Sequence, residues 1–308
     1  MKIKQVMSFI KIEHTLFSLP FILIGYIVAY NQFYDLIDSK SAFVQDLVWL
    51  LVAAIGARGL AMTLNRIIDK EIDAANPRTA KRHLASGTMS LKTAWILAMA
   101  FLLMLLIGAG MLNEVALMMS WLPVLVFVIY PYTKRYTWLC HLWLGLCLGL
   151  APAGAWLAIA GDYHGWESIT GTDGFASGLL WQPTILFLSL GVTFWITVFD
   201  INYARMDIDN DRENGIHSFP ARFGEDTTTK MSLVLTLVWM LCFIISNPVD
   251  KIYFICGSVL LAAINGYVIL KKDAIKDFQT ALFRVSIFTG WALLIPVMMF
   301  GDFANYYL

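Results

Sequence analysis

The chain has 308 residues, of which 59% are hydrophobic and 14% are charged, and its mean hydropathy is +0.68. Soluble domains carry about 25% charged residues, so this composition excludes an ordinary soluble protein and indicates that most of the chain lies in lipid. Basic and acidic residues are equal at 22 each, so bulk charge identifies no partner. The basic residues are spread over the loops without forming a stripe, which excludes a nucleic-acid-binding surface.

Nine apolar runs are long enough to be membrane spans, since about 20 residues cross the hydrocarbon core. The sequence therefore predicts an all-α integral membrane protein. The first run has no small-residue cleavage site after it, so we expect an anchor rather than a signal peptide. The runs are Thr15–Tyr30, Leu47–Leu64, Ala94–Leu112, Val115–Tyr132, Trp138–Ala160, Leu179–Phe199, Met231–Ser246, Ile252–Leu270 and Ala281–Phe300.

The charges of the connecting segments alternate along the chain. Basic residues are concentrated in the amino-terminal segment and in the second, fourth, sixth and eighth loops, whereas the other loops are mainly acidic. By the positive-inside rule, we expect a multi-pass protein of the inner or plasma membrane with its amino terminus in the cytoplasm and its carboxyl terminus outside. A nine-span topology agrees with this alternation.

The second span ends in an acidic motif. Asn65, Asp69 and Asp73 are spaced by four residues, which places them in one row on a helix at about 100° per residue. Like charges at this spacing repel each other by a few tenths of a kcal/mol, and a divalent cation would offset that repulsion. Carboxylate and amide oxygens are hard ligands that suit Mg²⁺.

The sixth span ends in a second acidic motif. If its helix continues, Asp200, Tyr203, Asp207 and Asp211 share one narrow stripe, while Asp209 points elsewhere and is solvated. Asp200 lies at the membrane end of the stripe, where an unpaired charge is most costly. Both motifs lie on the same side of the membrane, so two facing stripes would hold Mg²⁺ ions and a diphosphate.

Basic side chains beside the two motifs are candidates to bind the remaining phosphate oxygens. Each of them has an alternative interpretation as a charge that sets topology, and the motifs themselves have one as solvated helix ends. The candidates are Arg66, Lys70, Lys134, Arg135 and Arg205.

Arg58 lies inside the second span, seven residues before Asn65 and on the same helix face. An arginine at this depth usually faces a polar cavity, so it is a candidate to bind a carboxylate on an acceptor substrate. The alternative is a structural pair with Asp200 or with a backbone carbonyl.

The two motifs together resemble the two signatures of the UbiA-type membrane prenyltransferases. The resemblance runs from the first span to the loop after the sixth. Other stretches that are similar to this family are Glu13–Phe17, Asn76–Thr79, Tyr132–Arg135, Ala151–Trp156 and His217–Gly224.

The resemblance implies a single transmembrane prenyltransferase domain over residues 1–308. It implies two four-helix halves plus a ninth helix, with the loops after the second and sixth spans as a cytoplasmic cap over a cytoplasmic active site. By position, Tyr203 would face the reacting allylic carbon, and Lys134 and Arg135 would come from the fourth loop. The residues implied to hold Mg²⁺ and the diphosphate are Asn65, Asp69, Asp73, Asp207 and Asp211.

The implied reaction is Mg²⁺-dependent transfer of a polyprenyl group from its diphosphate to an aromatic acceptor, 4-hydroxybenzoate in type, in respiratory quinone biosynthesis. A menaquinone precursor or another acceptor stays open. The base is Asp200, another motif aspartate or the diphosphate itself. Donor and product are lipids, which explains an enzyme in the membrane.

Two other classes remain as alternatives. An ion-coupled transporter would also bind cations with aspartates, but transporter sites lie near the bilayer midplane on broken helices, whereas these motifs lie at span ends. Another membrane lipid enzyme, such as a phospholipid alcohol transferase, would carry one compact acidic motif rather than two distant ones.

Overall fold

The computed structural model describes residues 3–11, 15–33, 40–170 and 182–300. Within these ranges the regular structure is helical and contains no β-strand; Glu13 and His14 lie outside them. The first helices are α1 (Ile3–Phe9), α2 (Thr15–Gln32), α3 (Lys40–Ile68), α4 (Lys70–Ala75), α5 (Leu91–Leu112), α6 (Glu114–Met119) and α7 (Trp121–Thr133). The later ones are α8 (Cys140–His164), α9 (Glu167–Thr170), α10 (Pro183–Tyr203), α11 (Ile208–Glu213), α12 (Phe219–Ser246), α13 (Ile252–Leu270) and α14 (Phe278–Phe300).

Nine segments of the described ranges are long and apolar enough to cross a membrane, which confirms the predicted count. The fourth of them combines α6 and α7. The seventh, α12, begins at Phe219, well before the predicted start at Met231. Its first turns carry charged and hydroxyl side chains, which hydropathy does not assign to a span. The helical backbone is interrupted at Gly224, where φ is 80°, a conformation that glycine adopts without strain.

The helices bury two apolar clusters. One lies among α2, α8, α10 and the later spans, and the other among α1, α3, α5 and α7. The first span, α2, packs mainly against α8 and α14 and touches α3 little. The division into two four-helix halves therefore stays a prediction.

Two glycines set the spacing of α8 from its neighbours. A Cβ atom at Gly25 would lie 2.3 Å from the carbonyl oxygen of Pro152, and one at Gly145 would lie 2.2 Å from that of Thr193. Small residues at helix contacts let membrane helices approach closely. The helix α8 is thereby held against both α2 and α10, and it forms one wall of the cavity described below.

Candidate active site

The first acidic motif keeps a helical course although α3 ends at Ile68. The amide of Asp69 donates to the carbonyl of Asn65 at 2.9 Å, and the amide of Asp73 donates to that of Asp69 at 2.7 Å. Because the i to i−4 pattern continues, the three side chains share one face, as the sequence predicts.

Asp69 is the most enclosed carboxylate of this motif, with an exposed fraction of 0%. Lys134 donates a short hydrogen bond to its Oδ2, and the guanidinium of Arg135 lies 3.6 Å from its Oδ1. Burial raises the pKa of Asp69 above its ordinary value, and the ion pair with Lys134 offsets only part of that. Both predicted basic residues of the fourth loop are therefore brought to the motif.

Asp73 is bound by a residue that the sequence prediction missed. The Nη1 atom of Arg82 donates to both of its carboxylate oxygens, at 2.7 and 3.0 Å. The Thr79 hydroxyl donates to the Asp73 carbonyl oxygen at 2.9 Å. The loop after α4 therefore folds back on the motif that precedes it.

The second motif is not a continuous α-helix, so the condition for one α-helical stripe is not met. The helix α10 ends at Tyr203 and a 3₁₀ turn follows over Ala204–Asp207 before α11 begins. The side chains of this turn bind two different elements: Arg205 binds α12, and Asp207 binds the loop after α4. A tightened turn of this kind is common at a helix end.

Asp207 connects the two motifs. Arg78 donates to its two oxygens at 2.9 and 2.5 Å, and Asn76 donates to Oδ1 at 3.0 Å. The guanidinium of Arg78 also lies 5.9 Å from the centre of the Tyr203 ring, within cation–π range. Although burial acts against it, the bond to Asp207 raises the pKa of Arg78. The sequence signal for this contact is the stretch Asn76–Thr79, which contains both Asn76 and Arg78.

Two of the predicted phosphate ligands lie elsewhere. Arg66 is buried, and its guanidinium lies 5.1 Å from the centre of the Phe9 ring on α1. Arg205 donates to Asn202 at 2.9 Å, to Thr229 at 2.8 Å and to the Glu225 carboxylate. Both lie within an acidic motif in sequence, but the turn of the helix directs them away from the carboxylates of that motif. Lys70 is exposed.

A cavity of about 380 Å³ lies directly beneath the two motifs. Arg58 and Asn65 line it from α3, Asp200 and Tyr203 from α10, and Arg82 from the loop after α4. Most of the remaining wall is apolar. Its members include Leu105, Phe127, Cys147, Leu148 and Phe199.

Asp200 is held from α8. The Nδ1 atom of His141 lies 2.7 Å from its Oδ2, and His141 was not among the predicted site residues. Nothing in the sequence spacing pairs positions 141 and 200, because the contact joins two different spans.

The carboxylates do not form one cluster. Within the described ranges, no group of at least three histidine, cysteine or acidic side chains lies close enough to share a metal ion. Basic side chains bind the carboxylates instead, and Asp211 is buried in the first turn of α11. The donor set nevertheless fits Mg²⁺, since it consists of hard oxygens. One of these, Oδ1 of Asp69, is buried and accepts no hydrogen bond from the described residues.

The fold and the site define a multi-pass membrane protein with an apolar cavity that ends in two facing acidic motifs and their basic partners. Residues 18–294 match the model of the UbiA prenyltransferase family. The chain therefore belongs to that family and is a membrane prenyltransferase.

Curated and solved relatives agree with this assignment. A 4-hydroxybenzoate octaprenyltransferase from Shewanella piezotolerans is 25% identical over 81% of this chain and 80% of its own. The structure of a UbiA homolog from Aeropyrum pernix K1 matches with 30% identity and a TM-score of 0.73, over 93% of this chain and 98% of its own. A UbiA homolog from Archaeoglobus fulgidus, bound to GPP and Mg²⁺, has the same fold at 17% identity and a TM-score of 0.68, over 94% of this chain and 99% of its own.

Proposed function

We propose that this prenyltransferase moves a polyprenyl group from its diphosphate to 4-hydroxybenzoate in respiratory quinone biosynthesis. One observation carries the proposal: Arg58, Asp200 and Tyr203 line a single cavity. Such a cavity offers a cation, a carboxylate and an aromatic face, and 4-hydroxybenzoate presents a carboxylate and a phenol at opposite ends of one ring. A menaquinone precursor with an aromatic carboxylate is the second candidate, since Arg58 would bind its carboxylate equally well.

The diphosphate would bind at the polar end of the cavity. Arg78, Arg82 and Lys134 already neutralise carboxylates there, and the same side chains would take phosphate oxygens, which arginine can do in bidentate fashion. The oxygens of the two motifs would hold Mg²⁺, which supplies charge neutralisation for the leaving diphosphate. The residues with this role are Asn65, Asp69, Asp73, Asp207 and Asp211.

The chain's own residues account for the remaining steps. As the bond between the allylic carbon and the diphosphate oxygen breaks, its electron pair leaves with the diphosphate, and Tyr203 offers a π face to the allylic cation. A ring carbon beside the acceptor hydroxyl then forms the new carbon–carbon bond. Asp200 takes the proton, so the products are the prenylated acceptor, diphosphate and a proton. The prenyl tail would occupy the apolar part of the cavity.

We propose further that this site faces the cytoplasm and that residues 1–308 act as one domain. The positive-inside rule supports the orientation, because the basic loops that hold the motifs lie on the side predicted to be cytoplasmic. Cysteine labelling at Lys70, which is exposed, tests this: labelling in inverted vesicles, and protection in intact cells, is the expected result.

The test of the activity is a transfer assay on purified protein with geranyl diphosphate, 4-hydroxybenzoate and Mg²⁺, with and without EDTA. We expect prenylated benzoate by mass spectrometry, lost with EDTA and strongly reduced with 4-hydroxybenzyl alcohol, which lacks the carboxylate. Diphosphate release without prenylated benzoate would contradict the acceptor assignment and favour a menaquinone precursor.

A further inference from the structure

His141 makes two hydrogen bonds that join three spans. It lies in the first turn of α8 and is almost fully buried, with an exposed fraction of 4%. Its Nδ1 atom lies 2.7 Å from Oδ2 of Asp200 on α10. Its Nε2 atom accepts a hydrogen bond of 3.0 Å from the backbone amide of Phe219, the first residue of α12.

The Phe219 bond fixes the tautomer of the ring. A backbone amide can only donate, so Nε2 must present a lone pair and carries no proton. The proton of the neutral ring is then on Nδ1 and points at Asp200, which accepts it as a carboxylate. The side chain of Ser218 makes no capping bond to α12. His141 therefore takes the place of a cap for the Phe219 amide, and that bond holds the imidazole ring in place.

The bond to His141 also fixes the direction of the Asp200 side chain. It engages Oδ2, and Asp200 lines the cavity together with Arg58 and Tyr203. The other oxygen, Oδ1, has no hydrogen bond to His141 and is the one that would meet an acceptor in the cavity.

We infer that His141 is a positioning residue for the transfer reaction: as the Nδ1–H tautomer it orients the Asp200 carboxylate toward the acceptor. This rests on the proposed role of Asp200 as base. His141 does not itself touch the acceptor, and its ring nitrogen gives up no proton during turnover, so a neutral side chain with the same donor and acceptor can replace it.

Three variants test the inference. His141→Gln keeps one donor and one acceptor and should retain kcat within about threefold. His141→Met removes both and should lower kcat at least tenfold, with the KM for geranyl diphosphate unchanged. The matched control is Thr197→Val, since the buried Thr197 hydroxyl bonds the His141 carbonyl oxygen at 3.4 Å but does not contact Asp200; it should keep kcat even if its melting temperature falls.

The double variant separates positioning from stability. If His141 acts through Asp200, His141→Met added to Asp200→Asn should lower kcat no further, because effects within one unit are not additive. Independent, multiplying effects would overturn the inference, as would a His141→Met enzyme that loses melting temperature but keeps kcat.

Failure of the base role is distinguishable from failure of this inference. If Asp200→Asn keeps kcat, the proposed base is wrong; if Asp200→Asn loses kcat and His141→Met does not, only the positioning role is wrong. If His141→Met does not fold, the tautomer of His141 is measured instead, by ¹⁵N NMR of the wild-type protein labelled at its histidines. The signal that is missing from the His141→Gln spectrum belongs to His141. An Nδ1–H tautomer is expected, and a doubly protonated ring would overturn the inference.

Discussion

The two acidic motifs are similar in sequence but are held in different ways. Asp69 and Asp73 continue the helical course of α3 and are paired with Lys134 and Arg82. The second motif is broken by a 3₁₀ turn, and its Asp207 is held by Asn76 and Arg78, which belong to the loop after the first motif.

This difference indicates that the loop after α4 is a shared component of the site. The start of the loop binds the second motif through Arg78, and the middle of the loop binds the first motif through Arg82. The carboxylates of these two pairs are mostly buried and their arginines are partly exposed, so loss of an arginine leaves a poorly solvated carboxylate without its partner. We therefore expect a substitution in one motif to weaken the contribution of the other motif as well.

The largest effect is expected at the most buried carboxylate. Asp69→Asn should lower kcat/KM for the donor by about 10²–10³-fold, the range for loss of one preorganised electrostatic group. The matched control is Asp209→Asn, because Asp209 is exposed on the second motif, and it should stay near wild type in the same mass-spectrometric assay. A comparable loss of kcat/KM in both variants would show that the motifs act only through their general negative charge.

A smaller effect is expected from the connecting arginine. Arg78→Gln removes the two bonds to Asp207 and should raise the donor KM by about tenfold or more, since hydrogen bonds to charged groups contribute roughly 1.5–3 kcal/mol. Arg205→Gln is the comparison, because its guanidinium is bound to α12; it should lower the melting temperature in detergent without changing the donor KM. A raised donor KM in Arg205→Gln and an unchanged one in Arg78→Gln would favour Arg205 as the phosphate ligand.

The most selective effect is expected in the cavity below the motifs. Arg58→Ala should raise the KM for 4-hydroxybenzoate by about tenfold, the equivalent of roughly 1.4 kcal/mol, while the donor KM changes little. Steady-state kinetics with each substrate varied in turn measure this. An unchanged acceptor KM would make Arg58 a structural residue of α3.

The sequence was sufficient for the spans and for the residues of the motifs, because hydropathy and i, i+4 spacing are local properties. It also indicated Lys134 and Arg135, which the structure places beside Asp69, while their role toward a phosphate stays a prediction. It could not reveal the break after Tyr203, since that depends on Arg205 and Asp207 finding partners on two other elements.

The partners that the sequence left out share a physical reason. His141 and Asp200 are 59 residues apart, and Arg78 and Asp207 are 129 apart. Such pairs are set by helix packing, which a single sequence does not encode locally. Arg66 shows the converse: it is adjacent to Asn65 in sequence, but the structure places its guanidinium against the ring of Phe9 on α1.

The central claim is that both motifs bind one diphosphate together. Its most direct test is the affinity for geranyl diphosphate, in Mg²⁺ buffer, of the wild type, Asp69→Asn, Asp207→Asn and the double variant. We expect each single change to weaken binding at least tenfold and the double variant to bind little more weakly than either, since the effects of residues that act as one unit are not additive. Effects that multiply, or a single variant with wild-type affinity, would show that the motifs act separately.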